Sequence, residues 1–252
     1  MTSSCDNLYL GLCAEYYDID QPTAPHNELQ FYLNYAKKSH GPLLAPLCGT
    51  GRFLIPLLEC GFNIEGFDAS PTMLQLLKIK AAKKNLMPHV NQTFLEQFSS
   101  PKKYGLILIP SGSFGLITDL AQAYACLQIL YDHLLPRAQL IFEVDTPQAI
   151  SLEPNELHTS TVRKDDGSFI TLNKRVSYNS STQIVEITSE YTHHNDEVIK
   201  KEMDIFCIKL YQSNDLDQFL AQLGFSVVKY ITHDTSSASD ETLLIYECTK
   251  NI

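Results

Sequence analysis

Apolar positions along the chain fall into two regimes. From about residue 24 to 150, short apolar runs alternate with stretches where apolar residues recur at helical spacing, the signature of a parallel sheet with crossover helices. The runs are Leu43, Leu44, Ala45 and Leu47, then FNIEGF (62–67), a weaker HVNQTF (89–94), YGLILI (104–109) and AQLIFEV (138–144). The helical stretches carry their own punctuation. Pro25 opens one that bears Leu29, Phe31, Tyr32 and Tyr35. Ser70 followed by Pro71 reads as an N-cap with proline at the first helical position, and Met73, Leu74, Leu76 and Leu77 follow. Thr118 or Asp119 caps a helix whose Leu120, Tyr124, Leu127, Tyr131 and Leu134 share one face. Pro56 predicts a kink or a short first turn in the helix after Gly51.

After residue 155 the period becomes two. Ile170, Leu172, Val176 and Tyr178 alternate with polar residues, as do Val185, Ile187 and Tyr191, and turn clusters stand at 165–167, 179–182 and 194–196. This predicts an antiparallel meander of about four strands ending near Leu210, with His193 and His194 at a hairpin turn. Asn214 and Asp217 then start a short helix carrying Leu216, Phe219, Leu220 and Leu223 and stopped by Gly224. FSVVKY (225–230) and LLIYEC (243–248) return two strands to the first sheet, and the polar stretch 232–241 reads as a loop. The expected architecture is α/β and Rossmann-like. A mostly parallel seven-stranded sheet with helices on both faces is built from 1–155 and 211–252, and 156–210 form an antiparallel β insertion. That insertion is either a lid or a dimer surface, and its position after the fifth strand favours the lid.

Composition narrows the partners. The 252 residues carry 29 acidic against 19 basic side chains, a formal charge of −10, with no extended basic block, so neither nucleic acid nor an anionic membrane is expected. No segment approaches the about 18 consecutive apolar residues of a membrane span, and the start lacks a basic region leading into an apolar one, so a soluble, cytoplasmic protein is expected. Seven cysteines, an odd number without CxxC spacing, suggest neither a disulfide frame nor a metal site but mostly reduced thiols.

The candidate chemistry lies at LLAPLCGTGRFLIP (43–56). A strand that ends in Gly-X-Gly and feeds a helix points backbone N–H groups at the carboxyl edge of the sheet, where small ligands of such folds sit. A tight turn requiring positive φ is the plainer reading. Asp68 follows Gly51 by 17 residues, at the end of the second run, where a carboxylate can accept bonds from vicinal ribose hydroxyls; its alternative role is a turn or cap in DASP. Leu54 stands where the third glycine of a dinucleotide fingerprint would fall, which disfavours a nicotinamide cofactor and points to a nucleoside with a smaller anionic group.

LLAPLCGTGRFLIPLLECGFNIEGFDASPTML resembles the cofactor-binding region of class I S-adenosylmethionine-dependent methyltransferases, in particular the small-molecule, sugar-amine N-methyltransferase-like branch. EYYDID, LILIPSGSFGLI, LLPRAQLIFEV and FLAQLGFSVV follow in the family's order. The resemblance implies in-line transfer of a methyl group from S-adenosylmethionine to a small-molecule nitrogen or oxygen. It implies that Gly49 and Gly51 shape the turn around the methionine moiety and that Asp68 holds the ribose. Ala69 and Met73 would lie against the adenine, and Leu95 would offer its backbone to it. Ser111, Ser113 and Phe114 would border the reacting methyl, and Tyr16 or Tyr17 would close the pocket. Arg52 occupies the family's usual arginine position or is a solvated helix residue. No catalytic residue is assigned; Tyr17, Ser111 and Ser113 are the candidates. A homodimer is a further expectation.

Several positions depart from the family pattern. Ala45 replaces an acid, Leu47 a glycine, Phe94 an aspartate for which Glu96 could substitute, Gly105 another aspartate, and Arg137-Ala138 a glycine pair. They motivate an alternative, a methyltransferase-fold protein with weak or no turnover that acts as a ligand-binding or interaction module. His133, His158, His193, His194 and His233 are candidate bases, each read first as a surface or loop residue. Glu143 and Asp145 could meet a substrate amine at the cleft edge or serve as cap and loop residues.

Overall fold

A computed structural model of the chain describes residues 8–150, 155–195, 199–230 and 242–251. The strands in chain order are β1 (Leu43–Pro46), β2 (Ile64–Asp68), β3 (His89–Gln92), β4 (Tyr104–Ile109), β5 (Leu134–Asp145), β6 (His158–Arg163), β7 (Phe169–Asn179), β8 (Ile184–His194), β9 (Ile199–Lys209), β10 (Phe225–Tyr230) and β11 (Leu243–Lys250). The helices are α1 (Gly11–Asp20), α2 (His26–Lys38), α3 (Leu54–Glu59), α4 (Pro71–Lys83), α5 (Leu120–Asp132) and α6 (Asp217–Leu223). Seven strands form one sheet in the order β10-β11-β5-β4-β1-β2-β3, parallel except for β11, and β6 to β9 form a second, antiparallel sheet.

The main sheet is covered on both faces, which explains its unbroken apolar runs. Every residue of β1 and β4 is buried. On one face, Leu44, Ile107, Phe142 and Tyr246 pack against Ala123, Leu127 and Leu130 of α5 and Leu220 of α6. On the other, Leu43, Ala45, Leu106 and Leu108 pack against Tyr32 and Ala36 of α2 and Leu54 and Leu57 of α3. The edge strand β3 is mostly exposed, consistent with its weak apolar signal.

Local signals placed three helix ends. The Ser70 hydroxyl accepts from Met73 N at 3.1 Å with Pro71 at the first position, and Asp119 rather than Thr118 caps α5, accepting from Gln122 N at 2.7 Å. Gly224 ends α6 at φ 97°. Pro56 lies in the first turn of α3, where no backbone partner is lost, so the short-turn expectation holds.

Other readings are corrected. Helix α6 begins at Asp217, not at Asn214. Asn214 sits in the left-handed region at φ 88° and receives Lys229 Nζ, which also reaches Asp217 at 2.6 Å. Strand β5 starts at Leu134, four residues before the apolar run, because Arg137 adopts φ 61° and slips the register with β4 between Tyr104 and Leu106. Arg137 thus takes up a glycine-like conformation without being glycine. His193 and His194 are strand residues paired with Lys200 and Ile199, because the β8–β9 ladder continues to the end of β8. Cys13, Cys48, Cys60, Cys126 and Cys248 are free, in keeping with mostly reduced thiols, whereas Cys207 is disulfide-bonded. The 232–241 loop reading lies outside the described residues.

The apolar face of the second sheet needs a covering layer, and the chain supplies it. Leu12, Cys13 and Tyr16 of α1 pack on Ile170, Leu172, Tyr191 and Phe206. The Glu202 carboxylate accepts from Leu12 N at 2.6 Å, and the Tyr16 hydroxyl is 2.7 Å from Ser160 Oγ. At the other end, Val176, Val185 and Leu210 cluster with Ile150.

Candidate active site

The carboxyl ends of β1, β2 and β4 open into a cleft with two adjoining cavities. The larger, about 280 Å³, is walled by Gly49, Asp68, Ala69, Met73, Leu95, Ser113 and Tyr17. The smaller, about 40 Å³, lies beside the glycine turn and is walled by Gly49, Arg52, Ser111, Ser113 and Tyr17. The structure therefore brings together every proposed cofactor residue except Gly51.

The two glycines differ in their reasons. Gly49 has φ 52°, and a Cβ there would meet nothing within 4 Å, so the backbone faces open cleft. Gly51 has φ 82°, and its Cβ would come within 2.8 Å of Leu77 Cγ and 3.1 Å of Ile55 Cγ1. Gly51 lets α4 approach the turn and lines neither cavity.

Asp68 ties the turn to the next helix. One carboxylate oxygen accepts from Gly49 N at 2.8 Å and the other from Ser70 N at 2.9 Å. Both readings of this residue thus meet in one side chain: it organises the turn, and its remaining lone pairs face the larger cavity. Burial raises its pKa, opposed by the bonds from Ser70 and Gly49. Burial also pushes the neighbouring Cys48 thiol well up, so it is no thiolate nucleophile.

Arg52 is not a solvated helix residue. Its guanidinium donates to Ser111 Oγ at 2.8 Å and to Gln21 Oε1 at 2.9 Å, and it lies 5.6 Å from the Tyr17 ring centroid. Burial raises the Tyr17 pKa while Arg52 opposes the rise, so the phenol is protonated at neutral pH. Tyr17, not Tyr16, closes the cleft, because Tyr16 turns toward the second sheet. The Ser113 hydroxyl donates to Pro110 O at 2.9 Å, and Ser111 N donates to Glu143 Oε2 at 2.7 Å. Glu143 is 1% exposed and also accepts from the Tyr32 hydroxyl, so it props the 110–113 loop from beneath. Phe114 is packed in the core against Phe142 and does not reach either cavity.

None of the described histidines walls the cleft. His133 ends α5, its Nε2 accepting from Ser100 N, and His194 stacks on Phe169. His233 lies outside the described residues. No group of three metal-ligating side chains occurs among the described residues.

Sequence reasoning missed Tyr9, Ile117 and Gln122 as walls of the larger cavity. Tyr9 stands before α1, its carbonyl accepts from the Ser70 hydroxyl, and its ring is 4.5 Å from that of Phe206. Phe94 walls the cavity where an aspartate was expected, and Glu96 joins it. Ala45 is buried among Phe53, Leu54 and Leu108, and no acidic side chain walls the smaller cavity among the described residues. Leu47, in the glycine's place, holds φ 53° and walls both cavities.

Comparison with solved structures agrees over the whole length. The sugar N-methyltransferase KedS8 from Streptoalloteichus sp. superposes with a TM-score of 0.78 at 16% identity, covering 100% of this chain and 97% of its own. An S-adenosylmethionine-dependent methyltransferase from Clostridium acetobutylicum gives 0.76 at 16% identity, with 95% and 98% covered. The fold is that of the class I S-adenosylmethionine-dependent methyltransferases. In sequence, this chain is 23% identical over 248 residues to "Putative methyltransferase GWCH70_2453" of Geobacillus sp. (strain WCH70), with 91% of this chain and 94% of the relative covered. It is 24% identical over 137 residues to "Putative methyltransferase YqeM" of Bacillus subtilis, with 54% and 55% covered. No family model matches the chain.

Proposed function

We propose that the protein is an S-adenosylmethionine-dependent methyltransferase acting on a small-molecule nitrogen or oxygen. The observation that carries this is the convergence of the glycine turn, Asp68, Met73, Leu95, Arg52 and Ser111 on one cleft at the carboxyl edge of the sheet. Its relatives support it: one neighbour, the amino pentose methyltransferase CalS10, was solved with S-adenosylmethionine bound.

The residues fit the cofactor. A carboxylate at the end of β2, an apolar wall of Met73 and Leu95 and an open backbone at Gly49 suit an adenosine group, and the Arg52 guanidinium suits the methionine carboxylate. When bound, the cofactor supplies a methyl group already activated on a sulfonium. The chain's task is then alignment and exclusion of water, and well-oriented reactants can gain on the order of 7 to 11 kcal/mol that way. Tyr17 and Tyr9 close the cleft from the N-terminal side, and Glu143 holds the Ser111 backbone from below. We propose the 156–210 insertion as a wall on the acceptor side rather than a cofactor-binding unit.

The apolar setting of Ala45 favours a second reading, a ligand-binding protein without turnover. A charge-assisted bond to the cofactor amine is missing there, at a cost of about 1.5 to 3 kcal/mol. Calorimetric titration with S-adenosylhomocysteine separates the two readings: saturable micromolar binding supports the enzyme, and no heat at millimolar ligand supports the second.

A further inference from the structure

Helix α1 is held from two sides in two different ways. Its apolar side chains, Leu12, Cys13, Tyr16 and Ile19, pack on the second sheet. Toward the cofactor-binding core it offers polar groups. Gln21, at its C-terminal cap, accepts from Arg52, and the Asp18 carboxylate accepts from Lys80 Nζ on α4. Asp18 and Lys80 are 17% and 21% exposed, and no other ion pair among the described residues has both partners so far withdrawn from water. Removing one partner of such a pair leaves a poorly hydrated, uncompensated charge, so the pair restrains position more than an exposed one does.

Lys80 has a second partner. Its ammonium also donates to Thr50 Oγ1 at 3.0 Å, and Thr50, the middle residue of the Gly-Thr-Gly turn, is 1% exposed. A buried hydroxyl needs a hydrogen-bond partner, and Lys80 supplies it. The spacing along α4 explains why this lysine reaches the turn: Met73, Leu77 and Lys80 recur at i, i+4 and i+7 on one face. Met73 walls the larger cavity, Leu77 lies against Gly51, and Lys80 meets the turn one step further along the helix. Lys80 itself walls neither cavity, so its effect on a ligand passes through the groups it holds.

We propose that Lys80 is a positioning residue for the cofactor. By gripping Thr50 and Asp18 together it sets the glycine turn against Tyr17, and Gly49 of that turn and Tyr17 each wall both cavities of the cleft. This rests on the methyltransferase reading and adds to it a residue that never touches the ligand. Without the ammonium, Asp18 regains hydration only by drawing away from α4. The same stretch of α1 carries Tyr17 and, one turn on, Gln21. Arg52 then loses both the ring and the amide that orient it, and with them the aim of its guanidinium into the smaller cavity. The loss falls on dissociation, because the cleft loosens around a ligand already seated.

The test uses the full chain and the variants Lys80→Met, Asp18→Asn and Lys80→Arg, each at a temperature where circular dichroism shows it folded. Affinity and dissociation rate for S-adenosylhomocysteine are measured by surface plasmon resonance. Lys80→Met and Asp18→Asn are expected to weaken binding about five- to tenfold through faster dissociation, whereas Lys80→Arg, which keeps the charge, stays within about twofold of wild type. A pair that only stabilised the fold would leave the affinity of the folded chain unchanged. In ligand-free protein labelled with 3-fluorotyrosine, Lys80→Met is expected to shift the Tyr17 resonance, identified by its loss in Tyr17→Phe. The resonance of Tyr246, stacked on Phe142 in the core, is expected to stay in place. Unchanged affinity in either neutral variant, binding by Lys80→Arg as weak as by Lys80→Met, or an unmoved Tyr17 signal would overturn the assignment. If S-adenosylhomocysteine fails to bind the wild-type chain, the methyltransferase reading itself fails, and the ligand-free Tyr17 signal still decides whether Lys80 positions that residue.

Discussion

Single residues in the cleft carry two duties, and that shapes what their replacement reports. Asp68 holds Gly49 and Ser70 through its two oxygens as well as facing the larger cavity. Asp68→Ala is expected to weaken S-adenosylhomocysteine binding at least tenfold in calorimetry and to lower the melting temperature as well; unchanged affinity would remove Asp68 from the site. Gly51→Ala places a methyl group 2.8 Å from Leu77 at φ 82°, combining overpacking with left-handed strain, so a loss of about 2 to 4 kcal/mol is expected in urea unfolding. Asp145 acts in the opposite sense. Its folded pKa of about 6 lies above its ordinary value of 3.8, so its favourable contribution is complete below about 3.8 and is lost as pH rises through about 6. Asp145→Asn is therefore expected to stabilise the fold by about 1 to 3 kcal/mol at pH 7.5 and by almost nothing at pH 4. A constant difference across that range would show that the carboxylate is not buried at a cost.

At the scale of elements, α4 is the part that binds turn, helix and N-terminal segment together. Its Ser70 cap satisfies Met73 N and also donates to the Tyr9 carbonyl, so one hydroxyl orders both the helix start and a wall of the cleft. Ser70→Ala is expected to cost about 1 to 2 kcal/mol by thermal unfolding, the upper part of the range for losing a cap. This cap, that of α5 and the Gly224 stop were legible in the sequence because each is a contact within a few residues. The start of α6 was not, since Asn214 looks like a cap but is drawn to Lys229, a partner 15 residues away. The extension of β5 was hidden for a similar reason: Arg137 shows no sign in the sequence of the positive φ that lets residues 134–137 join the strand.

Across the whole molecule, α1 links the cleft to the second sheet. Tyr17 walls the cleft, whereas Leu12 and Tyr16, on the same helix, are bonded to Glu202 on β9 and Ser160 on β6. Ligand that orders Tyr9 and Tyr17 should therefore steady strands it never touches. Saturating S-adenosylhomocysteine is expected to slow amide hydrogen exchange in β8 and β9 as well as around Gly49 and Asp68. Protection confined to residues 47–52 and 68–73 would show that α1 transmits nothing.

The sequence by itself determined the alternation of strands and helices, the meander, the glycine turn and the candidate status of Asp68, because periodicity, caps and Gly-X-Gly are local codes. The tertiary structure decided which of those residues meet. It withdrew Gly51, Tyr16 and Phe114 from the cleft, and it brought in Tyr9, Ile117 and Gln122. Those outcomes depend on contacts between segments tens to hundreds of residues apart, where packing and burial, not local pattern, set each side chain's surroundings.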